Sequence, residues 1–346
     1  MATILLQPAG TFLGGFLGPV GVTLGTAAGA LGGYIIDRAL LSGNQTAKGP
    51  RLEGARPFTA EEGAPLARVY GSARIGGTMI WATRFEETRT VKRQGAKGMM
   101  GGGQKVETYS YYANAAFALC EGEIAGVRRV WADGEEVDLE KIEMRVYRGT
   151  HTQQVDPLIA VKQGAGNAPA YRGVAYVVFE RLPLEVYGNR IPQLQFEVLR
   201  PLKGIEQDIQ AVCLIPGSTE FGLSSSQVDL DIREGETQAL NRHVLFSSSD
   251  LNASLHELDM LCPNLKHIAL VTSWFGDDLR AGVCSIQPAV ASKPDGEFSQ
   301  DWRVAGVERE AARQVSYHDG GAAYGGTPSD ASLIEAIAAI RRGAGR

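Results

Sequence analysis

The stretch Leu194-Gln195-Phe196-Glu197-Val198-Leu199 decides how the middle of this chain is read. Leu194, Phe196 and Val198 fall on one side of a two-residue repeat and Gln195 and Glu197 on the other, the pattern of a strand with one buried face. Toward the N-terminus, residues 175–179 and 144–147 are further strands. Asp133-Gly134, between the strand-like runs 127–132 and 135–139, is a two-residue hairpin signal. Residues 66–85 alternate around Gly71 and Gly76-Gly77, which predicts a hairpin or meander. Residues 80–90 and 106–119 predict two more strands, the second carrying Tyr109, Tyr111, Tyr112 and Phe117. Residues 63–200 are therefore expected to be mainly β.

Between those last two strands, residues 88–105 hold Arg89, Lys92, Arg93, Lys97 and Lys105 and no acidic side chain. They predict a mobile, solvated hairpin tip that touches a partner or an anionic surface. Gly98, Gly103 and Lys105 nearly imitate a phosphate-binding loop. However, Gln104 stands where the lysine belongs, Val106 follows Lys105, and no helix comes next. The acidic run Asp133, Glu135, Glu136, Asp138 and Glu140 follows a hairpin tip and reads as a solvated face, not as a metal or catalytic cluster.

Farther out, residues 43–62 are polar and rich in glycine and proline, a linker or extended arm. Before them, the first 36 residues carry no charge and could cross a bilayer core of about 30 Å as a helix. Gly10, Gly14 and Gly18 form one row at four-residue spacing, and Gly21, Gly25, Gly29 and Gly33 form another. On a helix such rows let a second backbone approach closely, while in water each glycine costs about 1 kcal/mol. The segment is read as packed inside an oligomer, as membrane-inserting or as ordinary core. It has no basic n-region and no cleavage site of the secretory kind.

Past residue 200 the texture changes. Residues 211–215 and 267–273 are short apolar runs, Asn252 is placed to cap a helix carrying Leu255, Leu258 and Leu261, and Ser332 and Glu335 have capping-box spacing. That last helix is expected to bury Leu333, Ile337 and Ile340. Strand–helix–strand–helix order is α/β order. Too few strands are visible for a closed eight-stranded barrel of roughly 250 residues. The edges are expected to be covered by later residues of a longer polypeptide, or by partner subunits. Asp277-Asp278 at a strand end reads as a loop-fixing pair, since neighbours on an extended chain point apart.

The whole has 346 residues, 44% hydrophobic and 21% charged, with net charge -5. This excludes a disordered tail, a coiled coil and a polytopic membrane protein, and gives no global attraction to nucleic acid. Glycine, 43 of 346, is in excess and favours turns and close backbone contacts. Cys120, Cys213, Cys262 and Cys284 contain no CxxC and no histidine at ligand spacing. They read as buried thiols, and no metal or cofactor is expected.

Several motifs together resemble a known family. They are Glu62-Gly63-Ala64-Pro65 leading to Val69-Tyr70-Gly71, Arg74-Ile75-Gly76-Gly77, Ile80-Trp81-Ala82-Thr83-Arg84-Phe85, Cys120-Glu121-Gly122-Glu123-Ile124 and Val130-Trp131-Ala132-Asp133-Gly134. Tyr171-Arg172-Gly173-Val174 and Tyr187-Gly188-Asn189-Arg190-Ile191-Pro192 belong to the set, as do Leu214-Ile215-Pro216-Gly217, Trp274-Phe275-Gly276-Asp277-Asp278 and Tyr324-Gly325-Gly326-Thr327-Pro328. The chain resembles the tail-tip hub protein of gene transfer agents and siphophages, the "megatron" type, and more distantly the lambda-type central tail fibre (host-specificity) protein.

The resemblance implies a mixed fold. A glycine-rich helical segment (1–42) and a linker or arm (43–62) would precede a mainly-β hub region (63–200) and the start of an incomplete α/β, TIM-barrel-like domain (201–346). It also implies a non-enzymatic structural protein of the virion tail tip, or baseplate. A homotrimer would close the tail tube and serve host attachment and DNA ejection. Implied neighbours are the distal tail protein, the tape-measure protein, an iron–sulfur-carrying tip protein and a cell-wall peptidase, with the host outer membrane as a further target. No sequence-specific nucleic acid is implied. A glycan-hydrolysing tail enzyme and a membrane-anchored binding module are the competing readings.

Overall fold

The computed structural model describes residues 46–48, 65–94, 104–164, 166–202, 204–215 and 220–343. Both glycine rows, from Gly10 to Gly33, and Lys97 lie outside them. The chain divides into two compact units, Met1–Arg56 with Glu86–Tyr112 and Leu184–Asn189, and Pro57–Phe85 with Ala113–Pro183 and Arg190–Arg346. In chain order the first strands are β1 (Thr46–Lys48), β2 (Gly71–Gly76), β3 (Thr78–Ala82), β4 (Glu86–Gln94), β5 (Gln104–Glu121), β6 (Gly126–Ala132), β7 (Glu135–Glu136) and β8 (Glu143–Tyr147). Helix α1 (Pro157–Gln163) and strands β9 (Val174–Pro183) and β10 (Leu194–Arg200) follow.

The first unit is a three-stranded ribbon. β4 and the first half of β5 pair antiparallel from Glu86↔Tyr112 to Gln94↔Gln104. β1 joins the other edge of β5 in parallel, Thr46 to Lys48 against Lys105 to Glu107.

In the second unit two sheets pack face to face. β2, β10, β6 and β7 form one, in that order; β3, the second half of β5, β9 and β8 form the other. Phe117 on β5, Phe179 on β9 and Phe196 on β10 meet between them, with ring centroids 6.0–6.3 Å apart. The sequence predicts a hairpin or meander over 66–85, around Gly71 and Gly76-Gly77. Instead β2 pairs with β10 and β3 pairs with β5, so the chain crosses from one sheet to the other at Gly77. A Cβ there would stand 2.7 Å from the Phe196 ring and 3.0 Å from the Phe117 Cβ. Only glycine lets the backbone pass so close to that core.

β10 keeps the predicted alternation because one face of its sheet meets the core and the other carries charge. β5 and β9 do not alternate: Ala113–Cys120 and Ala175–Phe179 are buried on both faces. On their second face Ala116 of β5 and Tyr176 and Val178 of β9 pack with Trp81 of β3 and Ile159 of α1. A sheet covered on both sides reads as a continuous apolar run.

The Asp133-Gly134 turn forms as expected, with φ of 52° and 95°, the two left-handed residues of a primed hairpin turn.

Beyond residue 200, β11 (Ala211–Leu214), β12 (Asp229–Arg233), β13 (Glu236–Ala239), α2 (Asp250–Leu261), β14 (His267–Leu270) and α3 (Asp330–Gly343) are the main elements. β11 and β14 pair in parallel, with α2 on the connection between them. Leu214 and Leu270 pack under Leu251, Leu255, Leu333 and Ala336 of the two helices, which covers one face. The other face, Ala211, Cys213, His267 and Ala269, is exposed. Nothing among the described residues closes the pair into a barrel.

A further core that the sequence did not foreshadow joins Phe221, Val228, Val290, Trp302, Val304 and Ala312. Val290, Phe298, Val304 and Val307 come from two-residue strands between 289 and 308, and the rest from the segments that flank β12 and β13 and the loops beside them.

Both helix caps differ from expectation. Ser249, not Asn252, opens α2, its hydroxyl accepting from the Asn252 N–H at 3.3 Å. Ser329, not Ser332, opens α3, accepting from the Ser332 N–H at 3.1 Å. α3 buries Ser332 and Ala336, while Ile334 and Ile337 are exposed and Leu333 and Ile340 half-buried. Of the four cysteines, Cys120 and Cys262 are buried as expected. Cys284 is half-buried, and Cys213 is exposed because its side of the parallel pair is uncovered.

Candidate functional site

The basic stretch is part of a regular ladder rather than a loop. Arg89, Lys92 and Arg93 lie on β4 and Lys105 on β5. Pairing extends as far as Gln94↔Gln104, farther than 80–90 and 106–119 suggested, and the single strand expected over 80–90 is instead two, β3 and β4, separated by residues 83–85. Register sets Arg93 directly opposite Lys105, and Lys105 beside Thr46 of β1. Two residues along, Val91, Glu107 and Lys48 share a row; two further, Arg89 faces Tyr109. Glu107 is 6% exposed and accepts from the Arg89 guanidinium and, at 3.2 Å, from the Tyr109 hydroxyl. The Glu107 hydrogen bond and charge push the Arg89 guanidinium up from its ordinary value. At the base, the Tyr111 hydroxyl donates to Glu87 at 2.9 Å. Lys48 is a member of this group that sequence reasoning missed, since parallel pairing with a distant strand leaves no local signal.

In the second unit Asp133, Glu136 and Asp138 of the acidic run take cationic partners, as does the later Glu143, while Glu135 and Glu140 are exposed as expected. Asp133 takes Arg190 at 2.8 Å and the Gln193 N–H at 2.9 Å. Glu136 stands 3.8 Å from Arg129, and Glu143 3.0 Å from Arg145. Asp138 is not on a solvated face: it is paired with Arg242 at 2.5 Å, and each side chain is nearly buried. Burial works to raise the Asp138 carboxyl, but hydrogen bonds from Arg242 and Lys141 prevail and hold it below the usual range. Among the described residues no group of three His, Cys, Asp or Glu could hold a metal. Asp277 and Asp278 each fix their own loop, accepting from the Ser285 N–H at 2.7 Å and from the Arg280 N–H at 2.8 Å.

Two polar centres organise this unit, and neither has a sequence motif. At the first, Asp156 is fully buried. It accepts from Arg145 at 2.8 Å, from the Tyr147 hydroxyl at 2.7 Å, and from the Leu158 and Ile159 N–H groups that open α1. Burial works to raise its carboxyl; these bonds outweigh it and hold the group below the usual range. Burial and the Asp156 carboxylate push the Tyr147 hydroxyl up.

At the second, Arg128 on β6 grips Glu197 on β10 at 2.9 and 2.6 Å and also pairs with Glu257 on α2. The Arg128 hydrogen bond holds the Glu197 carboxyl below 4.5. Replacing Arg128 with alanine would leave both carboxylates without their shared partner. A loss of about 2 kcal/mol is expected in urea unfolding.

Acid should weaken the same unit. Glu197, Asp138 and Asp156 all titrate lower when folded than when unfolded. Their contribution is therefore complete above the unfolded values of 4.5 and 3.8, and is lost as pH falls through the folded ones. The urea midpoint is expected to hold from pH 7 to 5 and drop steeply below 4.5, and Glu197→Gln should flatten part of that drop.

No family model matches the chain, and no curated protein matches it. Among solved structures it is similar to a chain of the particle described as "Virion of native gene transfer agent (GTA) particle", with 41% identity. The match covers 62% of this chain and 44% of that one, at a TM-score of 0.36. The chain thus spans less than half the length of its neighbour, and at that TM-score the overlay says nothing about shape.

Proposed function

We propose that the chain is a structural component of a gene-transfer-agent-type virion, acting as a tail-tip hub around the tail axis. The observation that supports this most is sequence agreement: hub-type motifs through residues 62–192 and 41% identity to a chain of such a virion. The architecture is compatible with the role. A double-sheeted core is tied by Arg128 to a following α/β layer.

In this reading three copies form a ring, and the glycine rows of residues 1–42 pack on its axis, plugging the tube or entering the host outer membrane. The distal tail protein, the tape-measure protein, an iron–sulfur-carrying tip protein and a cell-wall peptidase are its neighbours. The chain is not an enzyme in this reading. Electron cryo-microscopy of the tail end should show three copies around the axis. Absence from the tail, or a monomer held in a membrane, would overturn the reading. Replacing Gly25 and Gly29 with leucine should lower DNA delivery at least tenfold while leaving the double-sheeted core folded; unchanged delivery would count against axial packing.

A further inference from the structure

We infer that, within the second unit, the double-sheeted core and the part beyond residue 200 meet at a polar joint that opens without unfolding either side. The apolar cores stop short of it. Phe117, Phe179 and Phe196 meet inside the double-sheeted core. The clusters around Phe221 and Leu251 lie wholly beyond residue 200. The contacts that cross are mostly polar. Arg128 on β6 reaches Glu257 on α2, Asp138 reaches Arg242, and the Leu139 N–H donates to the Leu245 carbonyl at 3.0 Å. The Arg129 guanidinium stands 5.8 Å from the Phe246 ring, and Met260 lies against Gly126, where a side chain would leave it no room. Polar interfaces between parts of one chain permit relative motion, which large hydrophobic ones suppress.

Each side keeps partners of its own when the joint opens. Arg128 retains Glu197 of its own sheet at 2.9 and 2.6 Å. Asp138 retains Lys141 at 3.3 Å and the Glu140 N–H at 3.2 Å. Arg242 retains the Ser247 carbonyl at 2.9 Å, and Glu257, already 36% exposed, turns to water. The crossing bonds are thus second partners of groups that are paired locally. Opening strands no buried charge, so the heavy penalty of breaking a buried pair from one side does not arise. The hinge is bounded as well. Arg200 is held by the Glu121 carbonyl at 2.9 Å on one side, and Gln207 by Asn264 at 2.6 Å on the other. Between them Leu202 and Ile205 are mostly exposed. The joint gives the same folded bodies two arrangements, and a neighbour in an assembly that binds one of them better selects it. This inference does not depend on the hub reading.

Hydrogen exchange of the full chain at neutral pH, read by mass spectrometry at single-residue resolution, tests the joint. The Leu139 N–H is the probe, because its acceptor lies on the other side. Amides of β10 and α3 report the two bodies. Leu139 should exchange about 100-fold faster than either, since opening the joint requires less than unfolding a body. Glu257→Gln weakens a crossing bond on a different element and should speed Leu139 by about a further tenfold. The amides of β10 and α3 should then stay within about twofold of their former rates. A Leu139 rate that does not respond to Glu257→Gln would mean local fraying at the turn and overturns the inference. Equal acceleration of Leu139, β10 and α3 would mean that the unit opens only by unfolding, and overturns it too. So does a Leu139 amide as slow as those of β10.

Discussion

Asp156→Ala is expected to cost about 4–5 kcal/mol, enough to unfold a large fraction of the second unit at room temperature. The carboxylate has no exposed surface and receives Arg145, Tyr147 and two N–H groups of α1. Removing it takes the one fully buried partner from Arg145, which is itself only 28% exposed. Breaking a buried pair from one side costs about 3–5 kcal/mol, and losing an N-cap about 1 more. Arg145 retains Glu180 at 2.7 Å, which keeps the total from rising further. Asp156→Asn separates the parts: asparagine still caps α1, so it should recover about 1 kcal/mol of the loss while the charge effect remains. Urea unfolding of the three proteins at pH 7 measures both steps. A loss under 1 kcal/mol for alanine would show that Asp156 does not organise this core.

Phe196→Ala should have a comparable effect, about 4 kcal/mol, by emptying the space between the sheets where Phe117 and Phe179 meet it. The more telling experiment couples it to the sheet crossing. Gly77→Ala alone forces a methyl group against the Phe196 ring and the Phe117 Cβ, and an overpacked core loses about 2 kcal/mol. In the Phe196→Ala background the same methyl enters vacated space, and its cost should fall below about 1 kcal/mol. The cycle thus predicts a coupling of at least 1 kcal/mol. Additive losses would mean that Gly77 is needed for its backbone and not for its lack of a side chain.

What was legible in the sequence was local. The two-residue period of Leu194–Arg200 and the Asp133-Gly134 turn each depend on neighbours a few positions away, and both formed as expected. Gly76-Gly77 was misread because a glycine pair reports a tight path without reporting which sheet receives the next strand. The α3 capping box failed for a tertiary reason. Glu335 does not turn back to its own helix; it accepts from the Ser224 hydroxyl at 2.7 Å and the Ser225 N–H at 3.0 Å. That left Ser329 to cap.

The organising charges were invisible for the same reason. Arg128 and Glu197 are neighbours only because β6 and β10 are paired, and Lys48 joins the basic ribbon only through β1. The basic composition of residues 88–105 was evident; its arrangement into rows was not.

The pairing of β2 with β10 also bears on synthesis. Residues 71–76 find their partner only at 195–200, so the ribosome must add about 120 residues before the sheet can close. At roughly 5–20 residues per second that is about 6–24 s, during which β2 has an unsatisfied edge on a nascent chain. Chains arrested before residue 194 should therefore be sensitive to protease and held by chaperones. Emergence of residues 195–200 from the ribosome would be the moment at which this layer can close.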